Sequence, residues 1–337
     1  MRHHAKKLAN YALVAATAAV LMGGSVQAET LRLSTLKKPG SEGEAAALRF
    51  ADLVEQGTDG RIKIKVYPAS QLGDWTEVYE QVIQGAVDMA MQPLATSSDK
   101  RLAITWFPYA FIDYDTARES LSPNGAVFSI VSDVLEPQGL TPLGVFGAGM
   151  GGAGFAKPVE NVKDFDAKHD LKVRVWPGGI THRVLLERLG YNTATVPWAE
   201  LYTGMQTGVV DGQVGGTANM TLESFEDITR TWVQYNTHFE GDWFIVNSAT
   251  YANLEDKDRK VLLEAAQQVS AERFEDVAAA DAAALATMRE AGIDVVTFDK
   301  TELEELAAIV RRDVWPNIAD ELGEETLGKL KASLGVE

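Results

Sequence analysis

The chain has 337 residues, no cysteine and a formal net charge of −17, from 48 acidic and 31 basic side chains. Ordinary apolar (46%) and charged (23%) fractions exclude a disordered chain, and the length fits two domains or one large two-lobed one. The lack of cysteine removes disulfides, thiolate nucleophiles, iron–sulfur clusters and cysteine-ligated zinc, while the acid excess excludes a binder of nucleic-acid phosphates.

The first element is an address. Arg2, Lys6 and Lys7 precede a twelve-residue apolar run from Tyr11 to Met22, broken by Gly23-Gly24 and followed by Val26-Gln27-Ala28. That is the pattern of a secretory signal peptide over residues 1–28, with cleavage expected after Ala28 and a periplasmic destination. As a membrane anchor the run is too short, since twelve helical residues cover about 18 Å of a roughly 30 Å hydrocarbon core. Losing its three basic residues takes the formal charge from −17 to −20 for residues 29–337.

Beyond it, Leu31–Ser34 begins an alternating strand, and Ser41-x-x-Glu44 is a capping-box signature for a helix running to Gly57. Thr58-Asp59-Gly60 reads as a turn, and Arg61–Tyr67 alternates strictly, with Ile62, Ile64 and Val66 on one face. Strand, helix, strand opens an α/β architecture. The pattern continues as helix 75–84 and strands 86–91, 142–146 and 171–176, then helix 180–189, strand 193–196, helix 198–207 and strand 209–214. From Leu254 to Ala291 there is neither proline nor glycine, which predicts one long helix or a kinked pair, about 55 Å if straight.

An internal repeat stands out. Trp75-x-Glu77-x-Tyr79-x5-Gly85-x-Val87-Asp88 recurs 123 residues later as Trp198-x-Glu200-x-Tyr202-x5-Gly208-x-Val210-Asp211. In each copy an amphipathic helix ends near a glycine suited to the φ > 0 of a C-cap, and a short strand follows. Two similar α/β lobes are the implication.

Motifs for chemistry are sparse. Gly147-Ala148-Gly149-Met150-Gly151-Gly152 satisfies G-x-G-x-x-G, but Gly154 and Pro158 interrupt the helix that a dinucleotide fold needs there, so a glycine-rich strand is the plainer reading. No metal site or cofactor is expected. His169, His182 and His238 have no common spacing and read as ordinary polar histidines. In Leu171–Trp176, alternation puts Lys172, Arg174 and Trp176 on one face. Arg174 is then either a carboxylate clamp at a strand end or a solvated base. Asp211–Asn219, with Gly215, Gly216, Thr217 and Asn219, suits either a backbone approaching a ligand or an ordinary strand-to-helix turn. Trp176, Trp198, Phe239 and Trp243 are aromatics that line a crevice or fill a core.

Thr58-Asp59-Gly60-Arg61, Gln71-Leu72-Gly73, Gln84-Gly85-Ala86-Val87-Asp88, Leu171-Lys172-Val173-Arg174-Val175, Pro197 through Tyr202, and Gln206-Thr207-Gly208-Val209-Val210-Asp211-Gly212 together carry a resemblance. The mature chain resembles the solute-binding subunit of tripartite ATP-independent periplasmic (TRAP) transporters, of the dicarboxylate-binding type. The resemblance implies a two-lobed α/β periplasmic binding fold, a cleft between the lobes and a long helix spanning both. It places residues 29–150 mainly in lobe 1, residues 151–250 mainly in lobe 2, and residues 251–337 in a helical C-terminal region. The carboxylate-pairing role of the family's strand arginine falls on Arg174.

Two departures matter. The family's Glu-Asn-Pro is replaced by Val214-Gly215-Gly216, which moves that contact to Thr217 or Asn219, and Met150 to Phe155 lacks the arginine found there in many members. The expected ligand is therefore a small organic acid with one carboxylate. The expected binding residues are Arg174, Trp176, Gly215, Gly216, Thr217, Asn219, Phe239 and Trp243. The expected role is non-enzymatic capture and delivery to the small and large membrane subunits of a TRAP transporter, by a monomer, with a dimer through the long acidic helix as the other arrangement. The competing readings are a periplasmic enzyme using Glu200 or Asp211 as base, and a binding protein that feeds a sensor.

Overall fold

A computed structural model describes residues 28–336, so the signal-peptide segment, Ala28 excepted, lies outside the described residues. The first lobe opens with β1 (Glu29–Thr35), α1 (Glu42–Gly57), β2 (Ile62–Tyr67), α2 (Trp75–Ile83) and β3 (Met89–Gln92). β1 pairs in parallel with both β2 and β3. Ser41 Oγ caps α1 by accepting from Glu44 N, but the Glu44 carboxylate returns to Gly40 N rather than to Ser41, so the capping box is shifted by one residue.

Helices α3 (Tyr114–Leu121) and α4 (Ala126–Leu135) lead into β4 (Leu140–Phe155). The second lobe then repeats the first with β5 (Lys172–Val175), α5 (Ile180–Arg188), β6 (Asn192–Thr195), α6 (Trp198–Gln206) and β7 (Gly212–Thr217). β5 is parallel to β6 and β7, as β1 is to β2 and β3. The repeated residues build the same joint twice. Gly85 and Gly208 both take the positive φ that ends a helix (72° and 76°). Asp88 accepts from the backbone N of Arg32 in β1 at 2.8 Å, and Asp211 from that of Lys172 in β5 at 2.9 Å.

Next come α7 (Ala218–Phe225), β8 (Thr231–Val233), β9 (Phe239–Asn247), α8 (Ser248–Asn253), α9 (Asp256–Glu290), β10 (Asp294–Val296), α10 (Lys300–Asp313), α11 (Trp315–Leu322) and α12 (Glu324–Leu334). The sheet order is β2-β1-β3-β9-β4-β7-β5-β6, with β8 paired to β4 and β10. β4 ties the lobes together, since it pairs with β9 up to Met150 and with β7 from Gly151 on.

The glycine-rich stretch is therefore strand. It continues to Phe155, and no helix starts there to hold a pyrophosphate. Its glycines admit close neighbours instead. A Cβ on Gly149, which has φ +123°, would stand 2.2 Å from Asp281 Oδ1, and one on Gly147 would stand 2.8 Å from the Phe239 ring.

Asp281 belongs to α9, a single helix of 35 residues and about 52 Å. Its buried stripe runs Leu262, Ala266, Val269, Arg273, Val277, Asp281, Ala284, Met288 at helical spacing. From it, Ser270 Oγ meets Val145 N, Arg273 Nε donates to Gly147 O, and Asp281 accepts from Met150 N at 2.7 Å. α9 packs on α1 in the first lobe and on α7 in the second. Among the described residues no helix is long and apolar enough to cross a membrane.

Candidate functional site

Where the lobes meet, the two copies of the repeat each contribute their leading tryptophan. Trp75, at the start of α2, and Trp198, at the start of α6, line one inner chamber with Leu36, Trp106, Arg174, Trp176, Gly215 and Glu240. As it stands the chamber holds about 10 Å³, roughly one water. Leu36, Trp198 and Met220 separate it from an outer groove of about 1040 Å³. Lys38 Nζ donates to Glu223 O at 2.9 Å, Thr96 Oγ1 to Gly178 O at 3.0 Å, and Ala199 N to Asp74 Oδ2 at 3.2 Å, so the lobes are drawn together over the chamber. Asp74 thus caps α2 in its own lobe and reaches the first turn of α6, which has no side-chain cap of its own, in the other.

Arg174 lies in β5 and is 1% exposed. Its Nε donates to Val196 O at 2.8 Å and its Nη1 to Val214 O at 3.3 Å, while the Trp198 ring lies 5.6 Å from the guanidinium carbon. These partners fix the guanidinium plane, yet both are neutral carbonyls. Burial consequently pushes the guanidinium down to about 9, against the attraction of Asp74 and Glu240. Gly215 makes room for this layer, because a Cβ there would stand 2.8 Å from the Trp176 ring.

Opposite sits an acid that the sequence reading passed over. Glu240 is 1% exposed, and its Oε2 lies 2.9 Å from His238 Nε2. His238 Nδ1 is in turn 3.1 Å from His182 Nε2. Burial, reinforced by Asp242, pushes the Glu240 carboxyl well above its usual range, against Lys37 and Arg174. Burial also pushes His238 down to about 3 and, with His238 beside it, His182 well below its usual value, so both rings are neutral at pH 7. Asp242, two residues along β9, is paired with buried Lys37 at 2.6 Å.

Of the expected residues, the fold brings Arg174, Trp176 and Gly215 together at this chamber. Thr217 and Asn219 line an adjoining chamber with Lys37, Arg273 and Met220, where Thr217 caps α7 and Asn219 donates to Glu223. Gly216 lies between, its side-chain space facing Gln213 and Trp198. Phe239 and Trp243 line none of these cavities. Phe239 packs against Phe274 and Tyr114, and Trp243 stacks on Phe128. The reason is strand parity. Side chains alternate along β9, so Phe239, Gly241 and Trp243 share the core face, and Glu240 and Asp242 turn toward the lobe junction. The chamber residues that the sequence reading missed are Leu36, Trp75, Pro93, Trp106, Met220 and Glu240. Of these only Trp75 carried a signal, its place at the head of the repeat.

Glu200 is exposed, whereas Asp211 is held by Lys157 Nζ at 2.6 Å and by the Lys172 amide, in the structural role that Asp88 plays in the other lobe. Among the described residues no three His, Asp or Glu side chains converge to hold a metal ion.

Two like lobes bridged by a long helix, closing on a chamber lined by a buried cation whose hydrogen bonds among the described residues go to carbonyl oxygens, define a two-lobed binding protein. A family model described as bacterial extracellular solute-binding protein, family 7, matches residues 33–321. The C4-dicarboxylate-binding periplasmic protein DctP of Rhodobacter capsulatus is 27% identical over 331 residues, 96% of this chain and 97% of that protein. The sugar acid binding protein DctPAm from Advenella mimigardefordensis, solved with galactonate, has a TM-score of 0.82 at 19% identity, over 92% of this chain and 98% of that one. A TRAP periplasmic solute binding protein from Polaromonas sp JS666, bound to D-erythronate, gives 0.79 at 24% identity, over 91% and 99%. The chain belongs to family 7 of the bacterial extracellular solute-binding proteins.

Proposed function

We propose that this protein captures a small organic acid with one carboxylate and delivers it, without chemical change, to the membrane subunits of a TRAP transporter. Arg174 takes the carboxylate between lobes formed mainly by residues 29–150 and 151–250, after export and cleavage behind Ala28. The observation that carries the reading is Arg174 itself: a fully buried cation at the lobe junction, bonded to two neutral carbonyls. A buried charge without a counter-ion is costly, and an incoming carboxylate supplies one in bidentate geometry. The relatives named above bind C4-dicarboxylates, galactonate and D-erythronate, all carboxylates. What supports a single carboxylate is that Lys37 is already paired with Asp242, Arg273 with Glu42 and Asp276, and that Met150 to Phe155 supplies no second arginine.

Since the closed chamber has room for about one water, ligand enters an opened form and closure follows. Affinity for the closed state over the open one drives the population shift that membrane subunits can recognise. A thermal-shift screen of small organic acids tests the reading. A cognate acid at 100 times its dissociation constant raises stability by about 2.7 kcal/mol. Stoichiometric binding and recovery of unaltered acid are expected. Accumulation of product would make the protein an enzyme, and a panel without a single stabilising acid would end the organic-acid assignment.

A further inference from the structure

Glu240 has a second task once a carboxylate has taken Arg174. Its Oε2 is committed to His238, which His182 backs from behind. Both rings are neutral, so each has a single N–H, and one arrangement uses both: His182 Nε2 donates to His238 Nδ1, and His238 Nε2 donates to Glu240 Oε2. Oε2 is then an acceptor in use, and any proton on this carboxyl is carried by Oε1. That atom is fully buried, has no hydrogen-bond partner among the described residues, and belongs to a side chain that lines the inner chamber with Arg174. Buried polar atoms are nearly always met, so Oε1 is left for a group that arrives.

The charges decide what Oε1 does then. Facing Glu240 are Asp242 on its own strand, Lys37 beyond β1 and Arg174 on β5. β4, paired beside it, has no ionisable side chain from Leu140 to Phe155. From α9 come Arg273, which acts on Asp242, and Asp281, which is held by Met150 N and Tyr114 Oη. Lys37 is bound to Asp242 at 2.6 Å, which gives Asp242 a cation of its own. Two cations therefore face two acids, and an ionised Glu240 completes a neutral set. A ligand carboxylate on Arg174 adds one negative charge where closure removes the water. Two carboxylates cannot share such a site with both ionised, and the one that yields is the acid whose cation has been taken, Glu240. Burial already favours its neutral form.

We infer that Glu240 binds the ligand as a neutral acid: when the lobes close, Oε1 takes one proton from solvent and donates it in a hydrogen bond to the carboxylate held by Arg174. This rests on the organic-acid reading and adds a proton to each anion captured. The test is calorimetry with galactonate, D-erythronate and each acid that the thermal-shift screen returns, in buffers of differing ionisation heat. At about pH 7.5 such acids are fully ionised and bring no proton themselves. The wild-type protein is expected to take up close to one proton per acid bound, and its dissociation constant to rise by up to about tenfold per pH unit between about pH 6 and 8. Glu240→Gln places an amide N–H where the acid carries its proton, so it binds the same acids with no proton uptake and a flat pH profile. Glu240→Leu has no donor and binds more weakly than Glu240→Gln by about tenfold. Binding without proton uptake in the wild type overturns the inference. So does uptake that survives Glu240→Gln, which would put the proton on Asp242 or a histidine. Both results leave the organic-acid reading standing, whereas a screen in which no acid binds ends that reading and this inference with it. Should the variants not fold, the wild-type proton count decides.

Discussion

Arg174→Met separates the cost of burying this arginine from the carboxylate-pairing use proposed for it. Methionine roughly keeps the volume and removes the charge. In the ligand-free protein, burial holds the guanidinium at about 9 against an ordinary 12.5, a drop worth about 5 kcal/mol of unfavourable charge burial at neutral pH. Set against that relief, Val196 O and Val214 O lose their donors, at about 1–3 kcal/mol each. The two effects partly cancel, so the ligand-free variant is expected between about 3 kcal/mol more stable and about 1 kcal/mol less stable than wild type in urea unfolding. Binding behaves differently. Removing one partner of a desolvated charge pair costs about 2–5 kcal/mol, a loss of roughly thirtyfold to several thousandfold in affinity for the cognate acid by calorimetry. An affinity within threefold of wild type would refute the role of Arg174. A ligand-free destabilisation beyond about 5 kcal/mol would show that the arginine is there for the fold, and that its two carbonyl bonds outweigh the buried charge.

Two further outcomes are expected. Asp74→Ser keeps a cap for α2 but cannot reach Ala199 across the lobe junction, so ligand affinity should fall a few-fold with little change in unfolding midpoint, read by calorimetry and urea titration. Asp281 carries a pH signature: burial raises it from 3.8 to about 6, against its bonds from Met150 N and Tyr114 Oη. Above pH 6 the folded state bears a costly carboxylate. As pH falls from 7 to 5 the folded form takes up the proton before the unfolded chain does, and stability rises by about 1.3 kcal/mol from this group. Asp281→Asn should lack that increment when urea midpoints at the two pH values are compared with wild type; equal slopes would discount it.

Some residues of the chamber are legible in the sequence and others are not, for reasons of strand geometry and burial. Alternation along Leu171–Trp176 put Arg174 and Trp176 on one face, and both line the chamber, because a short strand bordered by parallel neighbours has little freedom of register. The reading of β9 failed by one residue. Phe239 and Trp243 drew attention as aromatics, yet the side chains turned toward the lobe junction are the acids between and beside them, Glu240 and Asp242. Nothing local marks an acid as buried, since acids are usually exposed and this one is held inside by histidines contributed from the bend just before β9 and from α5. The His182–His238 contact likewise joins residues 56 positions apart.

By itself, then, the sequence determined the two like α/β lobes, the long α9 and the placing of Arg174 and Trp176 on one face of β5. These follow from local periodicity, capping chemistry and an internal repeat, all of which act over a few residues. The tertiary structure alone decided what faces Arg174 across the chamber. It also decided why the glycines of β4 are needed, since α9, β8 and β9 crowd that strand too closely for a Cβ. The same packing sets a buried cation inside an acid-rich chain. The surplus charge is spread over the surface, whereas the chamber excludes water, and there one desolvated cation outweighs a distant, screened field.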